Sequence, residues 1–232
     1  MTERKKRTII PPLEKFYMND TNAYEIGVDE AGRGPLFGRV YSAAVILPKR
    51  DDFKYDIIKD SKRFSSKKKL LEVADYIKTN ALAWNVQYQD EKIIDTINIL
   101  QATQRAMHYA IDNIIDTDLV KSTDLDKILL LIDGNYFNKY STLRNGKIQE
   151  VSNVCIEGGD NKYTSIAAAS ILAKVERDNY IEKLCEDHPE LSEKYSINSN
   201  KGYGAKKHIE GIKQHGITQW HRKSYGICKQ FT

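Results

Sequence analysis

The chain reads as an α/β protein, a sheet flanked by helices with a basic, helical C-terminal extension. Three features predict this. Short β-rich runs recur at Glu25–Asp29, Arg39–Leu47, Ala83–Tyr88, Lys127–Ile132 and Val151–Ile156. Between them lie segments with helical spacing: apolar residues at 70, 71, 73, 74 and 77, and a second series at Ile93, Ile97, Leu100, Ala106 and Ala110. From Pro189 onward the chain turns polar, with one shorter helix near Lys206–His215.

Each element has a local reason. Ile26 and Val28 are the apolar positions of the first strand, and a Gly-rich turn (AGRGP) follows it. Pro48 and the charges after it end the second strand. The run KILLLI at Lys127–Ile132 is apolar throughout, as a strand buried on both faces should be. It stops at Asp133-Gly134-Asn135, a turn signal. The helix predicted over Ser165–Leu184 has Thr164 or Ser165 as its N-cap, and its Ala167, Ala168, Ala169 and Ala173 allow close approach to a sheet. The expected organisation is a polar arm over residues 1–22, a catalytic domain over 23–185, and an extension over 186–232 that packs on the same domain.

Composition narrows the class. The 232 residues are 41% hydrophobic and 29% charged, enough for a sizeable core. Mean hydropathy is −0.56 and the sequence pI about 8.7. Lys and Arg (36) only slightly outnumber Asp and Glu (32), but they cluster, most densely in KDSKRFSSKKK at Lys59–Lys69. Such clusters suit a polyanion through counterion release, or simply form a solvated face. Cys155, Cys185 and Cys228 have no zinc-like spacing and read as reduced thiols. No apolar run approaches the length of a membrane span, and Met1–Leu13 is basic without a signal-like apolar region. A soluble, cytoplasmic, monomeric protein is expected.

The acidic residues are more informative. Asp29 and Glu30 follow an apolar strand, Asp133 ends the most hydrophobic one, and Asp160 lies in Gly158-Gly159-Asp160 before the Ala-rich helix. Carboxylates converging at one sheet edge raise one another's pKa unless a cation joins them. Oxygen ligands without His or Cys select Mg2+ or Mn2+. A two-ion phosphoryl-transfer site is one reading. A turn at Asp133, a helix-start carboxylate at Asp160 and exposed charges at Asp29 and Glu30 are the other. Because neighbouring strand residues point to opposite faces, Asp29 and Glu30 share a site only if the strand ends or bends there.

The local motifs bear on that choice. GVDEAGRGP at Gly27–Pro35 resembles the signature of the ribonuclease HII family. The resemblance continues, in the family's order, through Asp60-Ser61-Lys62, NILQAT at Asn98–Thr103 with Ala106-Met107, and Ile132-Asp133-Gly134. It extends through SIAAASILAKVERD at Ser165–Asp178, NKGY at Asn200–Tyr203 and His221-Arg222. It implies a ribonuclease H-like mixed sheet flanked by helices. It also implies that Asp29, Glu30, Asp133 and Asp160 are the catalytic, metal-binding acids. The implied reaction hydrolyses the RNA strand of RNA–DNA hybrids and cuts 5′ of ribonucleotides embedded in duplex DNA. The mechanism implied uses two ions of Mg2+ or Mn2+ and leaves 3′-hydroxyl and 5′-phosphate ends. Gly32-Arg33-Gly34 matches the element whose backbone approaches the 2′-hydroxyl, and Tyr203 the tyrosine that stacks on the junction sugar. Ser61 and Lys62 are expected to hold phosphate oxygens. Lys174 and Arg177 either do the same or are solvated helix charges, and Asp178 is a supporting residue.

Phe64 replaces the family's usual leucine, and Leu36-Phe37-Gly38-Arg39 departs from its small residues and proline. Arg39 either adds a phosphate contact or faces solvent. Two other readings stay open. Ribonuclease HIII carries a sizeable N-terminal domain, for which the 28 residues before Asp29 are too few. A catalytically silent nucleic-acid-binding module would not be expected to keep all four acids. No clamp- or replisome-binding peptide is recognisable.

Overall fold

The computed structural model describes residues 11–21 and 23–231. Residues 1–10 and 22 of the predicted arm lie outside them. The elements, in chain order, are β1 (Tyr24–Ala31), β2 (Val40–Ile46), α1 (Lys67–Asn80), β3 (Ala83–Gln89), α2 (Glu91–Ile115), α3 (Asp118–Lys121) and β4 (Ile128–Asp133). There follow β5 (Ser141–Arg144), β6 (Lys147–Glu150), β7 (Ser152–Ile156), α4 (Thr164–Asp187), α5 (Pro189–Tyr195), α6 (Ile197–Asn200) and α7 (Lys206–His215).

Five strands form one mixed sheet in the order β3-β2-β1-β4-β7. β1, β2 and β3 pair antiparallel, while β4 and β7 add in parallel. The alternation of β2 shows how the sheet is covered. Ala43 and Val45 pack with α1 and α4 on one face, whereas Ala44 and Ile46 pack with α2 on the other. The α4 face is exceptionally close. A β-carbon at Gly27 would lie 2.2 Å from the Ser165 backbone, so only glycine lets the Ala-rich helix rest directly on β1.

The C-terminal extension gathers its own apolar cluster around Leu191, Tyr195, Ile197, Ile212 and Cys228, joined to Phe37 and Ile181. Backbone hydrogen bonds fasten it to the loop after β1: Leu36 N–H to Gly202, Arg222 N–H to Leu36 and Gly38 N–H to Trp220. The described part of the arm also packs. Glu25 is buried and accepts the Tyr17 and Met18 N–H groups, while Lys49 stands beside it at 3.3 Å.

Some sequence expectations need correction. Neither Thr164 nor Ser165 caps α4: the N-cap is Tyr163, without a side-chain bond. The Thr164 hydroxyl donates instead to Lys15 and Glu14 carbonyls, fixing the arm. α2 is not uniformly helical; Asn98 sits inside it at φ 65°. The hairpin β5–β6 and the helices α5 and α6 were not anticipated. The guanidinium of the half-buried Arg39 packs 4.0 and 4.3 Å from the ring centroids of Tyr88 and Tyr180, a contact that the sequence reading did not anticipate.

Candidate active site

The register of β1 against β4 builds the site. Val28 pairs with Ile132 in parallel, so the next residues, Asp29 and Asp133, lie side by side at the ends of neighbouring strands. Both share the face of Gly27 and Leu131, the α4 side of the sheet. β1 does not end at Asp29 as expected. Its pairing with β2 continues to Ala31, while its pairing with β4 stops at Val28. The edge beyond Val28 is thereby free, and Asp29 and Glu30 line the same cavity despite their alternation.

Asp160 arrives from a single 3-10 turn, Gly159–Asn161, after β7. The Gly159 N–H donates to Asp133 Oδ1 at 2.7 Å, which ties this turn to the end of β4. Asp160 is buried, with Asn161 Nδ2 3.0 Å from its Oδ1 and Lys62 Nζ 3.8 Å from its Oδ2. Lys62 is presented by a short turn capped by the buried Asp60, whose Oδ1 accepts the Lys62 N–H at 2.9 Å. Ser61 Oγ lies 3.1 Å from Ser170 Oγ on α4, and Ser170 in turn hydrogen-bonds Asp29.

The acids are electrostatically strained. Burial holds the Asp29 carboxyl well above the usual carboxylate range, and repulsion from Glu30 and Asp133 adds to it. Asp133 is raised by burial and by Asp160. Burial also raises Glu30, although Arg33 at 3.2 Å pulls the other way. Among the described residues, no group of three or more His, Cys, Asp or Glu side chains is arranged to hold a metal ion as it stands. The donor chemistry nonetheless fits a hard divalent cation. The set is oxygen only, it is incompletely neutralised by Lys62 and Arg33, and its repulsion is the kind a cation relieves.

The cavity measures about 510 Å³. All twelve nominated residues line it: the four acids, Gly32, Arg33, Gly34, Ser61, Lys62, Lys174, Arg177 and Tyr203. Gly32 has φ +95°, and a β-carbon there would lie 2.2 Å from Arg177 Nε. The need for glycine at this position is therefore internal to the fold. Gly34 is roomier, its β-carbon position 3.5 Å from Tyr203 Cε1. Tyr203 is half exposed, with the Arg177 guanidinium 5.9 Å from its ring centroid.

Lys174 and Arg177 prove different in kind. Lys174 pairs with Asp178 at 2.7 Å and is partly exposed. Arg177 is buried, and its guanidinium donates to the Lys201, Phe37 and Arg39 carbonyls. Ser170, Asn200 and Lys201 also line the cavity and were not nominated. A polar residue within the alanine face of α4 was the available signal for Ser170, and the NKGY run for the other two.

Comparison with known proteins bears on the family and the fold. Residues 26–228 match the family described as Ribonuclease HII. The ribonuclease HII of Bacteroides thetaiotaomicron is 43% identical over 91% of this chain and 93% of its own length. That of Flavobacterium psychrophilum is 39% identical over 95% and 98%. Among solved structures, ribonuclease H2 from Pyrococcus horikoshii superposes with a TM-score of 0.66 at 22% identity, covering 90% of this chain and 96% of that one. A ribonuclease HIII solved in complex with Mn2+ gives 0.62 at 18% identity, covering 90% of this chain and 69% of its own. Those two likenesses speak to the fold. With the sequence match they make the chain a member of the ribonuclease HII family, endoribonucleases that hydrolyse the RNA of RNA–DNA hybrids.

Proposed function

We propose that the cavity takes the junction between a ribonucleotide and DNA and cuts the phosphodiester on the 5′ side of that ribonucleotide, leaving 3′-hydroxyl and 5′-phosphate ends. Asp29, Glu30, Asp133 and Asp160 hold a two-ion set of Mg2+ or Mn2+. The supporting observation is the parallel register that sets Asp29 beside Asp133, with Asp160 tied to the same strand end through Gly159. When bound, the cations neutralise the phosphate and lower the pKa of the attacking water.

The chain's own residues do the rest. Gly32 and Gly34 bring backbone to the cavity wall without side chains, so the turn can meet a 2′-hydroxyl directly. Tyr203 offers a half-exposed ring for the sugar and a phenolic hydroxyl. Lys62, whose side chain is 79% exposed, is free to swing to a phosphate oxygen, with Ser61 beside it. Lys174 is a second cation on the wall, while Arg177 serves substrate by supporting Tyr203 and Gly32 from behind. The proposed role is the removal of embedded ribonucleotides in the cytoplasm. No helix among the described residues is long and apolar enough to cross a membrane.

A cleavage map tests this reading. A DNA duplex with one ribonucleotide should be cut once, 5′ of that residue, in a divalent-dependent way. Cleavage of continuous hybrids with none at the single ribonucleotide would sink the junction assignment.

A further inference from the structure

His221 and Arg222 run behind both halves of the face just described. Arg222 is fully buried, and its guanidinium donates to four backbone carbonyls. These are Gly32 at 2.6 Å, Arg33 and Pro35 at 2.9 Å each, and Gly38 at 2.8 Å. A trans peptide points its N–H opposite to its C=O. Holding the Gly32 and Arg33 carbonyls therefore turns the Arg33 and Gly34 N–H groups away from Arg222, which does not itself line the cavity that Gly32, Arg33 and Gly34 line.

His208 does the equivalent for Tyr203. Its Nδ1 lies 2.8 Å from the Tyr203 carbonyl, which also accepts the Ala205 N–H. A carbonyl only accepts, so Nδ1 carries the proton. The neutral ring then accepts at Nε2, where His221 Nε2 stands 3.1 Å away and must donate. His221 Nδ1 is left as an acceptor, and the Thr218 N–H meets it at 2.9 Å. One arrangement of protons satisfies every partner, and in it both rings are neutral. Burial favours the same state, lowering His208 and pushing His221 down to about 3.

We propose that the His221-Arg222 pair is the shared positioning element of the ribonucleotide-reading face: Arg222 aims the Gly32–Gly34 turn, and His221, through His208, fixes the backbone of Tyr203. The inference rests on the reading of those residues as ribonucleotide contacts. None of His208, His221 and Arg222 lines the cavity, so all three act through others.

The test has a spectroscopic and a kinetic arm. Nitrogen chemical shifts at neutral pH should show His208 protonated at Nδ1 and His221 at Nε2; the opposite tautomers, or a charged ring, overturn the relay. The kinetic readout is the ratio of single-ribonucleotide to continuous-hybrid cleavage. His208→Leu should lower it roughly five- to tenfold, the effect of about one hydrogen bond. His208→Asn, which keeps a donor where Nδ1 stood, should restore it to within about twofold. In a Tyr203→Ala background His208→Leu should have no further effect, and an added loss there overturns the proposal. Arg222→Lys, keeping charge but losing the fork, should lower the same ratio; the His208 variants carry the test if it does not fold. If Tyr203→Ala leaves the ratio unchanged, the reading of Tyr203 itself fails and takes this inference with it. A response to Tyr203→Ala with none to His208→Leu overturns the inference alone.

Discussion

The Arg177 side chain fills the space that a β-carbon on Gly32 would need, its Nε 2.2 Å from that position. Gly32→Ala combines this collision with a backbone at φ +95°, where alanine is strained. We expect a loss on the order of 2–4 kcal/mol in urea unfolding, and impaired cleavage because the turn must shift. An alanine variant as stable as the parent would show that Arg177 moves aside freely.

The acids should stabilise the fold less than their uncharged versions. Asp29 has a folded-state pKa raised by burial and then by Glu30 and Asp133. A raised carboxyl favours folding below its unfolded value of about 3.9 and loses that contribution as pH climbs through the folded value. Without divalent cations, Asp29→Asn should therefore raise the urea midpoint at pH 7, with the gap closing toward pH 4. Adding Mg2+ should stabilise the parent more than the variant. Asp133→Ala should abolish cleavage and leave hybrid binding largely intact; retained turnover would remove it from the centre.

Tyr203→Ala should cost most on single-ribonucleotide substrates, where one sugar supplies all the recognition. Tyr203→Phe separates ring from hydroxyl: packing survives and one hydrogen bond, about 1 kcal/mol, is lost. Equal losses on every substrate would count against a junction role.

Substrate affinity should fall steeply with salt, as expected for a protein that displaces counterions from phosphates. Lys62→Ala should reduce the slope of log K against log salt by about one contact and weaken binding similarly across sequences. An unchanged slope would mean that Lys62 serves Asp160, 3.8 Å away, rather than the nucleic acid.

How much of this was legible in the sequence depends on the range of the forces involved. The strand Ile128–Asp133 follows from a continuous apolar run and the helices α1 and α2 from the spacing of their apolar residues, both local properties. Asp29, Glu30 and Asp133 drew notice as charges at the ends of apolar strands, and Asp160 as a carboxylate before the Ala-rich helix. Only the surrounding family motifs joined the four into one set. The turn at Asn98 was not visible, since one left-handed residue leaves the periodicity of α2 intact. The cap of α4 was misjudged because Thr164 is claimed by Lys15, far away in sequence. Arg177 read as a phosphate contact or a solvated helix charge, and Arg222 as part of a motif with no assigned role. Their carbonyl partners lie in a loop that only the folded chain brings near. The ring contacts of Arg39 were hidden for the same reason, its two tyrosines belonging to different elements.

The bare contact at Gly27, where α4 rests on β1 with no side chain between, also sets the order in which the molecule comes apart. Amides of residues 26–28, sealed between helix and sheet, should exchange with heavy water only when the whole protein opens. The hairpin β5–β6, with Leu143 and Ile148 exposed, should exchange long before. Asp29 is one residue beyond the last strand segment to let go, and the acids are thereby anchored in the slowest-opening part of the fold.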